Sequence, residues 1–176
     1  MSKDNQDSFN KLMFANINTS CYYPIRRSFG QTLQSCDIDA VIAYTKLSNN
    51  KNRIEQNIEF LLAGLCYNVT KQGQQRSTYI RFEDVLKRLN RENEIENFLK
   101  LRYDNTGYFA KRFYTLAKKV IPLLESTEQF DYIQLYKDLK YWNYNNSVKM
   151  RWAMAIVNFD NNENKEINKE IEKDGI

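Results

Sequence analysis

Histidine is absent from all 176 residues, and that absence removes more chemistry than any other feature of the chain. Without imidazole there is no Ser-His or Cys-His nucleophile pair, no His-ligated zinc and no general base of the commonest kind. Glycine is scarce, five in all, and no two are placed to form G-x-G-x-x-G or a P-loop, so no backbone cradle for a nucleotide is written here. Cysteine occurs three times, at Cys21, Cys36 and Cys66. Spacings of 15 and 30 residues fit neither a zinc site nor a redox pair, and the thiols are expected to be reduced, small and buried. Long uncharged apolar runs are missing and mean hydropathy is -0.69, which excludes a membrane-spanning helix. The polar stretch MSKDNQDSFN lacks an apolar secretory segment, which points to the cytoplasm. The 22 Asp and Glu remain as conceivable catalysts, but they are scattered and many stand beside Lys or Arg. The expectation is a protein that is not an enzyme and holds no cofactor or metal.

Hydrophobic residues make up 42% of the chain, enough for a core, and the length suits one domain or two small lobes sharing that core. Net charge is +4, but residues 159–176 contain six acids and three bases, leaving 23 bases against 16 acids in the remainder. A body with that excess suits a polyanionic partner.

Apolar residues recur with a helical period from Phe9 to Phe159, which predicts an all-α fold: a single compact bundle-like domain of about eight helices, or two packed helical lobes. Residues 1–7 are expected to be a flexible N-terminus, 8–159 the helical domain with lobes of roughly 8–102 and 103–159, and 160–176 a frayed polar tail. In NRIEQNIEFLLAGLCYNV, the stripe Ile54, Ile58, Leu61, Leu62, Leu65 and Val69 marks a central helix. Gly64 within it costs about 1 kcal/mol against alanine, a cost explained if another helix crosses closely there. Segments 8–17 and 37–47 read as earlier helices, the second opened by Asp37 as N-cap with Asp39 in its first turn. Beyond a polar loop, FEDVLKRL sets Phe82, Val85, Leu86 and Leu89 opposite Arg81, Lys87, Arg88 and Arg91, and a short helix follows over 92–102. In YFAKRFYTLAKKVIP, Phe109, Phe113, Leu116, Ala117 and Val120 fill one arc and Lys111, Arg112, Lys118 and Lys119 the other, until Pro122 stops the helix. Tyr132, Leu135, Tyr136, Leu139 and Trp142, then Val148, Trp152, Ala155, Ile156 and Phe159, mark two last helices. No strand is predicted.

The stretch SCYYPIRRSFG, residues 20–30, sets Pro24 beside the pair Arg26 and Arg27 amid tyrosines. Pro24 suits the first residue of a short helix, with Ile25 and Phe29 turned to the core. The arginines would then project outward, where a planar guanidinium can bind two phosphate oxygens at once. The alternative is a structural pair that caps a neighbouring helix or meets Asp37 or Asp39. Taken in order, SCYYPIRRS, IEFLLAG, FEDVLKRL, FLKLRYDN with FAKRFYTLAKKV, DYIQLYKDLKYW and RWAMAIV resemble the CasB family, the small subunits of the type I-E CRISPR Cascade surveillance complex. The likeness covers residues 9–159 and rests on collinearity rather than on one signature.

That resemblance implies an all-helical, non-catalytic subunit in a ribonucleoprotein for antiviral defence. Its partners would be guide CRISPR RNA, target DNA, the other Cascade subunits and a second copy of itself. It would hold the guide RNA–target DNA hybrid and the displaced strand of the R-loop. Carried onto this chain, the resemblance nominates Arg26 and Arg27, then Lys111, Arg112, Lys118 and Lys119 of the basic helix, with Arg102 just before it, as nucleic-acid-binding residues. The basic helix also admits the plainer reading of a solvated face. The Asn-rich acidic tail after Phe159 departs from the family pattern, and the loop 71–76 offers two basic residues where relatives often carry an arginine-rich excursion. Among the aromatics, Tyr132, Tyr136 and Trp142 fit the core, while Tyr22, Tyr23, Tyr103 and Tyr108 lie near basic residues and suit base stacking. The rival to a nucleic-acid clamp is a helical protein-interaction adaptor or inhibitor that binds no nucleic acid. A helix-turn-helix regulator is a third possibility, but no clear recognition helix is found.

Overall fold

The computed structural model describes residues 9, 12, 13, 21–50, 52–70, 76–104 and 106–155. The order is α1 (Tyr22–Arg27), α2 (Ile38–Leu47), α3 (Arg53–Val69), β1 (Thr78–Ile80), α4 (Phe82–Leu86), α5 (Glu92–Leu99), α6 (Tyr108–Val120), β2 (Glu128–Phe130) and α7 (Tyr132–Tyr141). A last helix, α8, runs over residues 146–155. Single 3-10 turns, Lys87–Leu89 and Ile121–Leu123, close α4 and α6. The fold is helical as expected, apart from one small sheet.

Helix α3 is the axis. Asn52 starts it, its side chain accepting from the amides of Ile54 and Glu55, which satisfies two of the donors a helix start leaves open. From Asn57 to Tyr67 every residue is buried, so α3 is enclosed on all sides, with α1, α7 and α6 packed against it. Ile54, assigned to the buried stripe by its spacing, is instead 42% exposed, because the first turn of α3 projects beyond the helices that enclose the rest. Enclosure brings polar groups inside, and they are paired. Glu59, 1% exposed, accepts from the hydroxyls of Tyr44 and Ser48, both at 2.7 Å, and from the Asn50 amide at 2.8 Å.

Gly64 is the point of closest approach on α3. A Cβ built there would lie 2.9 Å from Cβ of Phe29 and 3.1 Å from its Cα, so the residue just beyond α1 rests directly on bare helix backbone. Helix α1 begins at Tyr22, with Cys21 as N-cap, two residues earlier than Pro24 would dictate as an opening residue. Proline is tolerated there because the first-turn amides have no partner within the helix to lose. Ile25 and Phe29 are buried as expected. Asp37 caps α2 by position, with Asp39 in the first turn, though its side chain makes no capping hydrogen bond. Cys21 and Cys66 are buried and Cys36 is only half-buried, a departure from the expectation of three buried thiols.

The strands went unpredicted. β1 and β2 pair in parallel, Thr78 opposite Glu128, Tyr79 opposite Gln129 and Ile80 opposite Phe130. Three residues per strand are too few for a two-residue alternation to emerge, and parallel partners 50 residues apart leave no hairpin signal. The pairing is pinned at one end by Arg88, whose guanidinium grips both carboxylate oxygens of Glu128 at 2.7 and 2.8 Å. At the other end the amide of Asp131 donates to the carbonyl of Ile80, and the Asp131 side chain caps α7.

A second packing centre joins α4 to α8. Phe82 stacks on Phe113 at 5.2 Å and on Trp152 at 5.3 Å, while Phe98 meets Trp142 at 5.4 Å. Beneath it Arg151 binds the buried carboxylates of Glu83 and Asp138, and Trp152 donates its indole N–H to Asp138 at 3.0 Å. Phe9, Leu12 and Met13 are buried in the same continuous core, which draws on both halves of the chain. The rest of the 8–17 segment, Ile156, Phe159 and the tail lie outside the described residues.

Replacing Gly64 with alanine sets an intrinsic gain in helix propensity of about 1 kcal/mol against a clash with Phe29. Overpacking of this kind costs about 1–3 kcal/mol and here involves Phe29 backbone as well as side chain, so the clash wins and G64A is expected to lower the urea midpoint. An unchanged or raised midpoint would mean that Phe29 does not sit where the structure puts it.

Candidate nucleic-acid interface

The basic residues divide into those held by acids and those left open. Lys87 pairs with Asp84, Arg88 with Glu128, Lys140 with Glu55 and Arg151 with Glu83 and Asp138. Arg76 belongs with the structural set, its guanidinium donating to the Glu128 carbonyl while Gln129 donates to the Arg76 carbonyl. Lys71 lies outside the described residues.

Arg26 and Arg27 are both exposed at the C-terminal end of α1, where cations suit the helix dipole, and neither forms an ion pair among the described residues. Their pairing with Asp37 or Asp39 is therefore not what the structure contains. The guanidinium of Arg26 lies 5.7 Å from the ring centre of Tyr22. Tyr22 in turn is anchored, its hydroxyl donating to the Tyr67 carbonyl at 2.8 Å, so the pair stands on an element bolted to α3.

On α6, residues seven apart nearly eclipse. Lys111 and Lys118 therefore form one row and Arg112 and Lys119 a second, about a quarter-turn away. The second row is half spent: Lys119 donates to both carboxylate oxygens of Glu94 at 2.6 Å, while Arg112 is exposed. The first row is open, with Lys118 ammonium 5.4 Å from the Tyr114 ring centre and Lys111 exposed.

Tyr114 connects this row to the arginine pair. Its ring stands edge-on to Phe29 at 5.0 Å, and Gly30 presses so closely on it that a Cβ at Gly30 would come within 2.6 Å of Tyr114 Cβ. Gly30, at φ 91°, lies in the left-handed region where a side chain would also be strained. The segment that follows Arg26 and Arg27 is thus locked against the face of α6 that carries Lys111 and Lys118. Sequence reasoning grouped the residues but had no signal for Tyr114, whose partner lies 84 residues away at Gly30.

Arg102 is exposed in a different neighbourhood, beside Lys149. Burial and then the Arg102 charge hold the Lys149 ammonium below the usual lysine range. Lys149 donates to the Leu101 carbonyl at 2.8 Å and lies over the Trp142 ring. Burial pushes the Cys66 thiol up to about 11 and raises Cys36 as well, which keeps both protonated at neutral pH.

A mostly helical scaffold with one short parallel sheet and a locked, partly unneutralised basic face is the class defined by these features. A family profile described as CRISPR-associated protein Cse2 matches residues 24–155. The chain belongs to the Cse2 (CasB) family of CRISPR-associated proteins, components of CRISPR defence complexes. The structure is similar to that of TTHB189, a Cse2-family CRISPR-associated protein from Thermus thermophilus, with a TM-score of 0.63 at 17% identity, covering 90% of this chain and 99% of that one. No curated protein matches the sequence.

Because the paired cations are structural, acid should expose them. The hydrogen-bonded Arg88 guanidinium holds the Glu128 carboxyl below its usual range. A depressed folded-state pKa gives stability that is complete above the unfolded value, about 4.3, and is lost as pH falls through the lower folded value. R88Q is expected to lower the urea midpoint most at neutral pH, with the gap to wild type narrowing in acid. A gap that stays constant from neutral pH to about pH 3 would show that the charge on Glu128 is not what Arg88 stabilises.

Proposed function

We propose that this chain is the non-catalytic small subunit of an RNA-guided, Cascade-type complex of the cytoplasm. There it clamps nucleic-acid backbone and so stabilises the guide RNA–target DNA hybrid with its displaced strand. Membership of the Cse2 family supports the setting. The observation that carries the clamp is the open basic face: Arg26, Arg27, Lys111 and Lys118 are exposed, lack acidic partners among the described residues, and stand on two elements joined through Phe29, Gly30 and Tyr114. Arg112 extends this face on the adjoining row, Lys119 is partly neutralised by Glu94, and Arg102 marks a separate point of contact. Phosphate contacts position a duplex or strand without reading it, and in an RNA-guided complex base pairing supplies the sequence. A second copy within the complex and contacts with the other subunits belong to the same reading.

If each residue neutralises one phosphate, changing Arg26, Arg27, Lys111 and Arg112 to glutamate should weaken retention of target DNA by the assembled complex. The plot of log affinity against log salt should flatten by about 0.9 per lost contact on duplex. All four are exposed, so stability should change by no more than about 0.5 kcal/mol per site. A variant that enters the complex normally and keeps wild-type affinity and salt slope would refute the clamp and favour a protein-binding adaptor.

A further inference from the structure

The structure separates the four tyrosines that suit base stacking. Tyr22 is buried against Tyr67, and Tyr103 is half-buried with its ring 4.9 Å from Phe109, so neither offers a face. Tyr23 is exposed but stands edge-on to Tyr22. Tyr108, 55% exposed at the start of α6, borders a cleft of about 370 Å³ between the Gly30–Gln31 turn and the Thr106–Gly107 turn. Lys111 stands on the same wall, three residues along the helix and therefore on the same side as Tyr108.

The composition of this cleft is specific. Gly30 and Gly107 leave two stretches of its wall without side chains, Gln31 and Ser35 add neutral polar atoms, and among the described residues no acid lines it. The first turn of α6 is likewise free of acids. Its volume is at the small end of ligand clefts, about 300–1,000 Å³, which suits one nucleotide rather than a duplex. It opens three residues after Arg27, where the open basic face begins.

We propose that this cleft seats one unpaired nucleotide of a single strand, the base lying on Tyr108 and its phosphate held by Lys111. The inference rests on the clamp reading and adds to it a preference: phosphate contacts alone hold duplex and single strand, whereas a stacking platform requires an unstacked base. The strand that fits is the one left unpaired when a hybrid forms.

The test uses the full chain with two probes, a short oligothymidylate carrying one 2-aminopurine and a mixed-sequence duplex. Binding of the single strand should quench the 2-aminopurine. Y108A should weaken single-strand binding by about tenfold, the scale of one lost stacking contact, and abolish quenching with duplex binding and salt slope unchanged. Y108F should restore both affinity and quenching, and K111Q should flatten the single-strand salt slope by about 0.7. If Y108A binds and quenches like wild type while R26E/R27E loses duplex binding, the cleft holds no base and the clamp survives. Equal weakening of single strand and duplex by Y108A would also overturn the proposal. If the unaltered chain binds neither probe, the clamp and the cleft both fall.

Discussion

The contact of Phe29 with the bare backbone of Gly64 is the constraint from which the basic face takes its geometry. It brings the turn that follows α1 so close to α3 that no room is left for a Cβ at position 64. That closeness places Gly30 against Tyr114, and so fixes the end of α1 relative to α6. Arg26 and Arg27 lie on the turn just before this contact, and Lys111 and Lys118 flank Tyr114 on the helix beyond it. A larger residue at position 64 would push apart the two groups of cations, not merely loosen a core. Interiors are close-packed and transmit strain, so a glycine chosen for helix packing decides the spacing of charges on the surface.

The division of charges follows the same economy. A buried carboxylate needs donors, because an unpaired buried charge costs several kcal/mol: Glu59 finds them in two hydroxyls and an amide, whereas Glu83, Asp138 and Glu128 commit Arg151 and Arg88. Exposed ion pairs contribute only about 0–1 kcal/mol, so nothing in the stability of the fold requires Arg26, Arg27, Lys111 or Lys118 to find an acid. Leaving them open costs the fold little and keeps their full charge for a partner. Lys119 stands between the two groups, fastened to Glu94 yet still partly exposed.

Helices were legible because their signal is local. The arcs of α6 and α7 were readable residue by residue, and every position assigned to them is buried. Gly64 announced a close approach but not its partner, since Phe29 lies 35 residues earlier and nothing in the sequence names it. The misplaced features share a cause. The sheet, the start of α1 ahead of Pro24 and the exposure of Ile54 all depend on what packs alongside, and that is decided between segments rather than within one. Of the candidate site, residue types and groupings were visible. Which cations are free was not, because the carboxylate partners Glu94, Glu128 and Asp138 are distant in sequence from the bases they hold, or hidden within apolar stripes.

The absent histidine takes on a further meaning beside this arrangement. Lysine and arginine keep their charge across the pH range in which imidazole switches, so a face built from them alone has a strength set by ionic conditions rather than by protons. Contact with phosphate is indifferent to sequence, and the clamp proposed above would gain from that indifference, since it would lie along any guide and any target. Selectivity then has to come from shape. In the proposed clamp, the concave place on this face, bordered by Tyr108 and Lys111, is where a paired and an unpaired strand would be told apart without reading a single base.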